Sequence, residues 1–315
     1  MKRPISSYVD GTIIDLFHDF RRRNEVLVII HQDELRYLQK GQWITMTKIP
    51  NRVCSNKKVC AIKDRVYVIG VDDDTKWTNV AEFNTRTSSW RMLESFEPVW
   101  DYINDENRIN TFSIDFFCSV GNKLYIKNHS SSEDFEYAGN CISILDLDEM
   151  DPFWNVIKEE QRHFGEGGPS ITVADECIYL VGGGRYHVEK YEVNQNLWTT
   201  VAKLLSSPFI FDAGIVMFDG KLYVSGGKHW EYKLDTLRCL EFSTNTWTIL
   251  ASMSQPRFGH SLLCVNGSLV TVGSNVGTIE WYDVVSDTWS VREVIPGDNP
   301  CGAFIMMKYY LEYPE

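Results

Sequence analysis

Short stretches of alternating apolar and polar residues recur along the chain, separated by glycines and short polar turns. One of them, "CIYLVGGGRYHVEKYEVNQNLW" (177–198), runs from an apolar segment into three glycines, then through a second alternating segment to a tryptophan. Alternation over four to eight residues is typical of a half-buried β-strand. Glycine lets the backbone bend or adopt a positive φ where a strand ends. The stretch therefore predicts strands separated by a glycine-led loop, with a tryptophan on the last one.

The same pattern occurs six times in the sequence. Clear copies are "RVYVIGVDDDTKWTNVAEFNTRTSSW" (65–90), "KLYVSGGKHWEYKLDTLRCLEFSTNTW" (221–247) and "SLVTVGSNVGTIEWYDVVSDTW" (268–289), and weaker copies cover 25–43 and 123–154. The tryptophans of successive copies are 47, 64, 44, 49 and 42 residues apart. This period is typical of one propeller blade per repeat. The six tryptophans are Trp43, Trp90, Trp154, Trp198, Trp247 and Trp289.

A further strand and a tight turn precede each full copy. The pairs Gly121-Asn122, Asp219-Gly220 and Asn266-Gly267 supply the positive-φ residues that two-residue hairpin turns require. Each unit is thus predicted to be a four-stranded antiparallel meander, with strands A to D in chain order. Such a sheet has two faces to bury, and six sheets stacked around an axis bury each against its neighbours. The fold class is therefore all-β, a six-bladed propeller in which the tryptophans fill the gaps between blades.

The ends of the chain complete this prediction. The first unit lacks a strand before "EVLVII", whereas an unassigned apolar strand, "CGAFIMMKYYL" (301–311), ends the sequence. We expect this last segment to supply the innermost strand of the first blade, which removes free sheet edges. Residues 1–24 are predicted to be a linker, or the end of an upstream domain, with a short helix before Asn24. The predicted blades are 25–50 plus 301–311, 51–99, 100–161, 162–205, 206–253 and 254–297.

Composition narrows the function. The net charge of −12 argues against general binding to nucleic acid, which requires a basic surface. No run of about 18 apolar residues is present to span a membrane, and the first twenty residues lack the features of a secretory signal. The 8 cysteines include no CxxC pair and indicate reduced core residues of an intracellular protein. We therefore predict a cytoplasmic location, with the nucleus as the alternative.

Strand alternation places the B–C and D–A loops on one face of the disc, called here the loop face. These loops vary in length and are rich in Arg, Trp, Tyr and Phe, which is the composition of protein-binding surfaces. We predict that this face captures a short segment of a protein partner. The candidate partner-binding residues are Arg52, Trp77, Arg162, His163, Arg185, Tyr186, His187, Phe209, His229, Trp230, Tyr232, Arg257, Phe258 and His260.

Catalytic patterns are weak. The sequence contains no GxSxG, HExxH or P-loop spacing, each of which would carry a definite chemistry. We therefore predict a non-catalytic protein with no cofactor and no metal.

The diglycines Gly182-Gly183 and Gly226-Gly227, the aromatics Phe83, Tyr191 and Tyr282, and the terminal tryptophans resemble the Kelch repeat. The resemblance covers about residues 25–311 and implies a Kelch propeller similar to the C-terminal substrate-binding domain of BTB-BACK-Kelch proteins. It implies the substrate-recognition part of a cullin-3 RING ubiquitin ligase adaptor, joined to cullin-3 through an upstream BTB domain. The alternatives are an actin-associated scaffold and a carbohydrate-acting propeller enzyme.

The resemblance also suggests roles for single residues, and it leaves alternatives open. Arg162 and Arg257 occupy matching places before strand A, where similar Kelch proteins often use arginine to hold an acidic peptide. Either arginine can instead be a hydrogen-bonded cap on the inner end of its blade. Trp230 is either a contact residue or a side chain folded over its own blade.

Overall fold

The computed structural model describes residues 25–72, 74, 77–93, 95, 111–131, 141–158, 169–183, 186–204, 210–273, 276–295 and 302–307. Every regular element in these residues is a β-strand. The predicted helix before Asn24 lies outside them. In chain order the strands are β1 (Glu25–His31), β2 (Glu34–Gln39), β3 (Gln42–Lys48), β4 (Ser55–Ile62), β5 (Arg65–Val71), β6 (Thr78–Asn84), β7 (Ser89–Met92), β8 (Thr111–Val120), β9 (Lys123–Ser131), β10 (Cys141–Asp146), β11 (Trp154–Lys158), β12 (Pro169–Ala174), β13 (Cys177–Gly182), β14 (His187–Glu192), β15 (Leu197–Lys203), β16 (Gly214–Phe218), β17 (Lys221–Ser225), β18 (Lys228–His229), β19 (Tyr232–Lys233), β20 (Leu237–Glu241), β21 (Thr246–Leu250), β22 (His260–Val265), β23 (Ser268–Gly273), β24 (Thr278–Asp283), β25 (Thr288–Val294) and β26 (Gly302–Met307).

These strands form six four-stranded antiparallel sheets, one for each predicted repeat. In blades 2 to 6 the strands follow the chain, as in the order β22-β23-β24-β25 of blade 6. Blade 5 carries in addition a small hairpin of β18 and β19 between its second and third strands. The all-β, six-bladed prediction is confirmed.

The first blade is closed by the far end of the chain. Strand β26 pairs antiparallel with β1 over six residue pairs, from Glu25 opposite Met307 to Ile30 opposite Gly302. The sheet order is β26-β1-β2-β3, and β26 lies between the innermost strands of blades 2 and 6, β4 and β22. The predicted closure by the C-terminal strand is confirmed.

The core of the described residues consists of apolar clusters between neighbouring blades. Each cluster includes the repeat tryptophan of one of its two blades, as predicted. In blades 2 and 6 an aromatic residue lies opposite the tryptophan and packs on the indole, with ring centroids 5.1 Å apart for Phe83 and Trp90 and 5.0 Å apart for Tyr282 and Trp289. Because each sheet face is apolar, a blade removed from its neighbours would expose this surface to water.

Several indoles also form a hydrogen bond to the preceding blade. The Nε1–H group of Trp289 donates to the carbonyl oxygen of Ala251 at 2.8 Å, and that of Trp247 donates to the carbonyl oxygen of Lys203 at 2.8 Å. In blade 1 the residue opposite the tryptophan is Leu38, five positions before Trp43. The separation is shorter than the seven positions of blade 2 because the turn between the two strands is two residues shorter.

Glycine is required where a loop of the next blade crosses the end of the second strand. Gly182 and Gly226 have φ values of 83° and 55°. A Cβ at Gly182 would collide with the carbonyl oxygen of Ile210, and one at Gly226 with that of Arg257. The diglycines therefore allow adjacent blades to approach closely at this face.

Closure predicts the effect of truncation. Removing residues 302–315 deletes β26 and leaves the inner edge of β1 unpaired, so we expect cooperative unfolding to be lost or the melting temperature to fall sharply. Removing only residues 308–315 leaves β26 intact and is the matched control. Thermal unfolding followed by tryptophan fluorescence measures both. If the chain without residues 302–315 melts like the chain without residues 308–315, the closing role of β26 is contradicted.

Candidate protein-binding face

The described B–C and D–A loops meet on one face of the propeller. In blade 2, Asn79 at the start of β6 donates from Nδ2 to the carbonyl oxygen of Arg52 at 2.9 Å, which joins a B–C loop to a D–A loop. In blade 5, Phe211 and Lys228 exchange two backbone hydrogen bonds, of 3.0 and 2.8 Å. In blades 2 and 5, the loop that precedes the blade is therefore hydrogen-bonded to the blade at the loop face.

The hairpin of blade 5 projects two exposed aromatic side chains. Strands β18 and β19 pair Lys228 with Lys233 and His229 with Tyr232. Trp230, at the tip, is 66% exposed and Tyr232 is 74% exposed. Trp230 has a φ of 54°, a left-handed conformation that favours glycine or asparagine and is costly for a bulky residue.

This hairpin is held on two sides. The N–H of Leu234 donates to the carbonyl oxygen of Gly227 at 2.9 Å, and the N–H of Gly227 donates to the carbonyl oxygen of Arg257 at 2.8 Å. The N–H of Arg257 in turn donates to the carbonyl oxygen of Leu234 at 3.0 Å. Because the backbone is bonded to the loops that precede blades 5 and 6, little conformational entropy remains to be lost when a partner binds.

Two lysines lie over the ring of Phe258 beside the hairpin. The Nζ atom of Lys228 lies 3.7 Å from the ring centroid and that of Lys233 lies 4.9 Å from it. Lys228 also has the Asp212 carboxylate at 3.9 Å. We call Lys228, Trp230, Tyr232, Lys233 and Phe258 the blade 5 patch, because they combine aromatic surface with two lysine side chains.

The structure distributes the sequence candidates over three environments. The side chains of Trp77, Tyr186, Trp230 and Tyr232 are exposed, as is Arg52, whereas His187, His229 and Phe258 are half-buried. Arg257 and His260 are buried. The candidates outside the described residues are Arg162, His163, Arg185 and Phe209.

Sequence reasoning did not select Lys233. A lysine in a polar loop carries no distinctive signal, and its role depends on the β18–β19 register, which places it opposite Lys228. The five-residue separation of the two lysines around Trp230 is the one feature of the sequence that indicates this pairing.

Arg257 is an interior structural residue in this fold. Its side chain is fully buried, and Nη2 lies 2.7 Å from Oε1 of the equally buried Glu280. Nη1 donates to the carbonyl oxygen of Thr278 at 2.7 Å, and Nη2 donates to Oγ1 of Thr278 at 2.7 Å. Of the two roles considered for Arg257, this geometry fits the hydrogen-bonded cap and not a side chain presented to a peptide.

His260 is also interior. Its Nε2 atom lies 2.8 Å from Oγ of Ser225, and among the described residues Nδ1 has no hydrogen-bond partner. Burial, followed by the positive charge of Arg257, lowers the pKa of His260 to about 3. The ring is therefore neutral at physiological pH.

A central channel of about 610 Å³ is lined by the innermost strands of blades 2 to 6. No group of three or more His, Cys, Asp or Glu residues that could hold a metal ion occurs in the described part of the chain. Within the same residues no helix has the length and apolar character needed to cross a bilayer. Cys54, Cys60, Cys118, Cys177, Cys239 and Cys264 are free thiols, and four of these six are buried.

Comparisons with known proteins agree with this architecture. The Kelch motif family matches residues 211–254, which cover blade 5. The chain is a six-bladed β-propeller whose fifth blade matches the Kelch motif. The solved structure titled "Structure of YjhT" has the same fold, with a TM-score of 0.62 and 15% identity over 86% of this chain and 95% of that one.

Similar sequences include Kelch repeat protein C2 of vaccinia virus (strain Western Reserve), 26% identical over 43% of this chain and 26% of the viral protein. Kelch-like protein 33 of Homo sapiens is 27% identical over 36% of this chain and 22% of its own length. Kelch-like protein 36 of Rattus norvegicus is 24% identical over 61% of this chain and 30% of its own length. The chain thus matches about a quarter of the length of these relatives. Kinship with Kelch-like proteins supports a protein-binding module.

The buried ion pair predicts a large mutational effect. Glu280→Gln leaves the Arg257 cation buried without its counter-charge, so we expect the free energy of unfolding to fall by about 3–5 kcal/mol. Glu241→Gln is the matched control, because its 3.2 Å pair with Lys221 lies at the surface and such pairs contribute at most about 1 kcal/mol. Urea denaturation measures both changes. Equal effects of the two substitutions would contradict a structural role for the buried pair.

The lowered pKa of His260 predicts an acid-sensitive stability. The folded pKa lies below the unfolded value of 6.5, so the unfolded chain takes up the proton first. The contribution to stability is complete above pH 6.5 and is lost as the pH falls towards about 3.

The test compares wild type with His260→Gln by urea denaturation at pH 7.0, 6.0 and 5.0. We expect stability to fall less steeply in the variant, by up to about 1.4 kcal/mol per pH unit. Parallel curves would show that His260 does not contribute to the pH dependence.

Proposed function

We propose that this propeller is a protein-binding module that captures a short segment of a partner on the blade 5 patch. The observation that carries the proposal is Trp230. Its exposed indole sits at the tip of an anchored hairpin, in a backbone conformation unfavourable for tryptophan. A residue kept in a costly conformation at a surface suggests a function for its side chain.

The surroundings of Trp230 support a binding role. Tryptophan and tyrosine are enriched among the residues that contribute most to protein–protein affinity. Trp230 and Tyr232 are the large exposed aromatics of this hairpin, and the anchored backbone presents them without a large ordering cost. Lys228 and Lys233 are balanced by two carboxylates, Asp212 beside Lys228 and the exposed Glu231 at the hairpin tip. We therefore expect a partner segment that buries an apolar side chain against the exposed rings.

We further propose that the module recognises substrates for a cullin-3 RING ubiquitin ligase. Kinship with Kelch-like proteins supports this finer assignment. The propeller would hold a partner near the ligase, and the covalent chemistry would occur on other subunits. A cytoplasmic or nuclear location stays a prediction. A full-length protein that has no BTB domain, or that does not bind purified cullin-3, would contradict the ligase role while leaving the binding module intact.

The binding proposal is tested by affinity capture with wild type, Trp230→Ala and Tyr232→Ala. We expect both variants to lose the same partner, with a Kd at least about tenfold weaker because each substitution removes a large central contact. Val285→Ala is the matched control, because Val285 is 99% exposed in the C–D turn of blade 6, on the opposite face.

A further variant separates binding from folding. Trp230→Asn supplies a residue that tolerates a positive φ, so we expect wild-type or higher thermal stability together with lost capture. Retention of every partner by the Trp230 and Tyr232 variants would contradict the proposed surface.

A further inference from the structure

A second pocket lies on the face opposite the loop face, between blades 2 and 3. It is formed by A–B and C–D turns and the strand ends beside them, and its volume is about 480 Å³, within the range of ligand-binding pockets. The polar and charged residues important here are Lys63, Asp64, Arg65, Glu82, Arg91 and Asn122.

A buried carboxylate orients two arginines in this pocket. The side chain of Glu82 is only 6% exposed. It accepts a hydrogen bond from Nη1 of Arg65 at Oε1 and one from Nη2 of Arg91 at Oε2, both 2.7 Å long. The β6–β7 register places Glu82 directly opposite Arg91. The carboxylate is thus neutralised by two cations and positions both of them.

The two arginines retain hydrogen-bonding capacity. A guanidinium carries five N–H donors, whereas Arg91 donates one hydrogen bond to Glu82 and is 64% exposed. Arg65 is 38% exposed, and Lys63 is an exposed residue of the adjacent turn. Asp64 lies 2.9 Å from Nε of Arg86 and 3.8 Å from Nε of Arg65. The lining thus holds the three cations Lys63, Arg65 and Arg91 and the two carboxylates Asp64 and Glu82, an excess of one positive charge in a chain whose net charge is −12.

The propeller architecture does not require this arrangement. In each blade, the residue after the repeat tryptophan occupies the place of Arg91, and in the other blades it is uncharged. Those residues are Ile44, Asn155, Thr199, Thr248 and Ser290. A buried carboxylate flanked by two arginines is thus particular to blade 2, although burying the charge of Glu82 has a desolvation cost.

We propose that this pocket binds an oxyanion, a phosphate or a carboxylate, borne by a side chain of a partner peptide. Paired guanidinium groups suit such anions because their N–H donors match two acceptor oxygens at once. A phosphorylated side chain adds about two negative charges and three acceptor oxygens, which fits the surplus of donors. The site is separate from the blade 5 patch and does not depend on it.

The test uses the Nε–Hε NMR signals of Arg65 and Arg91 in the ¹⁵N-labelled chain. Three probes are titrated: inorganic phosphate, a phosphoserine peptide, and the same peptide with glutamate in place of phosphoserine. We expect saturable shifts of both signals with at least one peptide, and the comparison identifies which oxyanion binds. Shifts with inorganic phosphate but with neither peptide would overturn the proposal of a peptide-borne ligand.

Variants localise the binding. Arg91→Gln should weaken it by about tenfold or more, because a charge-assisted contact is lost, and Arg65→Gln should act in the same direction. Arg91→Lys keeps the positive charge but loses the paired N–H donors of the guanidinium, so its affinity should lie between those of wild type and Arg91→Gln. Arg292→Gln, which changes an exposed arginine of blade 6, is the matched control and should bind like wild type, as should Trp230→Ala. Equal affinity of Arg91→Gln and Arg292→Gln, or no shift with any probe, would overturn the proposal.

Discussion

The structure depends on the burial of sheet faces against neighbouring sheets. A four-stranded blade has apolar side chains on both faces, and neither face can be buried within the blade itself. The apolar clusters of the described residues accordingly lie between blades, and each includes one repeat tryptophan. The arrangement is complete only when the first and last units meet. The β26–β1 ladder provides that closure by pairing the last described strand with the first.

Closure has a consequence for function, because it makes the disc a rigid support for its loops. The hairpin of blade 5 is bonded to the loop before blade 6 through the backbone of Arg257. The side chain of the same residue is bonded to Glu280 and Thr278 inside blade 6. One buried arginine thus connects the candidate docking surface to the core of the next blade. The backbone that carries the exposed aromatics is thus held in part by a residue whose own side chain is buried.

The two faces of the disc differ in chemistry. The blade 5 patch offers aromatic surface with lysines beside it, whereas the pocket between blades 2 and 3 offers a fork of arginines over a buried carboxylate. The first suits a segment that buries an apolar side chain, and the second suits a single oxyanion. A propeller with both could hold two parts of one partner, or two partners, on opposite faces.

The amino-acid sequence by itself determined the number of blades, their strand composition and the closing strand, because repeats, alternation and turn residues are local patterns. The aromatic and arginine content of the B–C and D–A loops also predicted the loop face as a binding surface, and Trp230 and Tyr232 are exposed there. Tertiary structure decided which charged residues are available. Arg257 and Lys63 are both cationic residues between strands, and the sequence does not distinguish their surroundings. In the structure Arg257 is buried against Glu280, 23 positions away, whereas Lys63 is exposed. Likewise, Arg65, Glu82 and Arg91 come together through the register of the three consecutive strands β5, β6 and β7, which is fixed only when the buried face and the turns are in place.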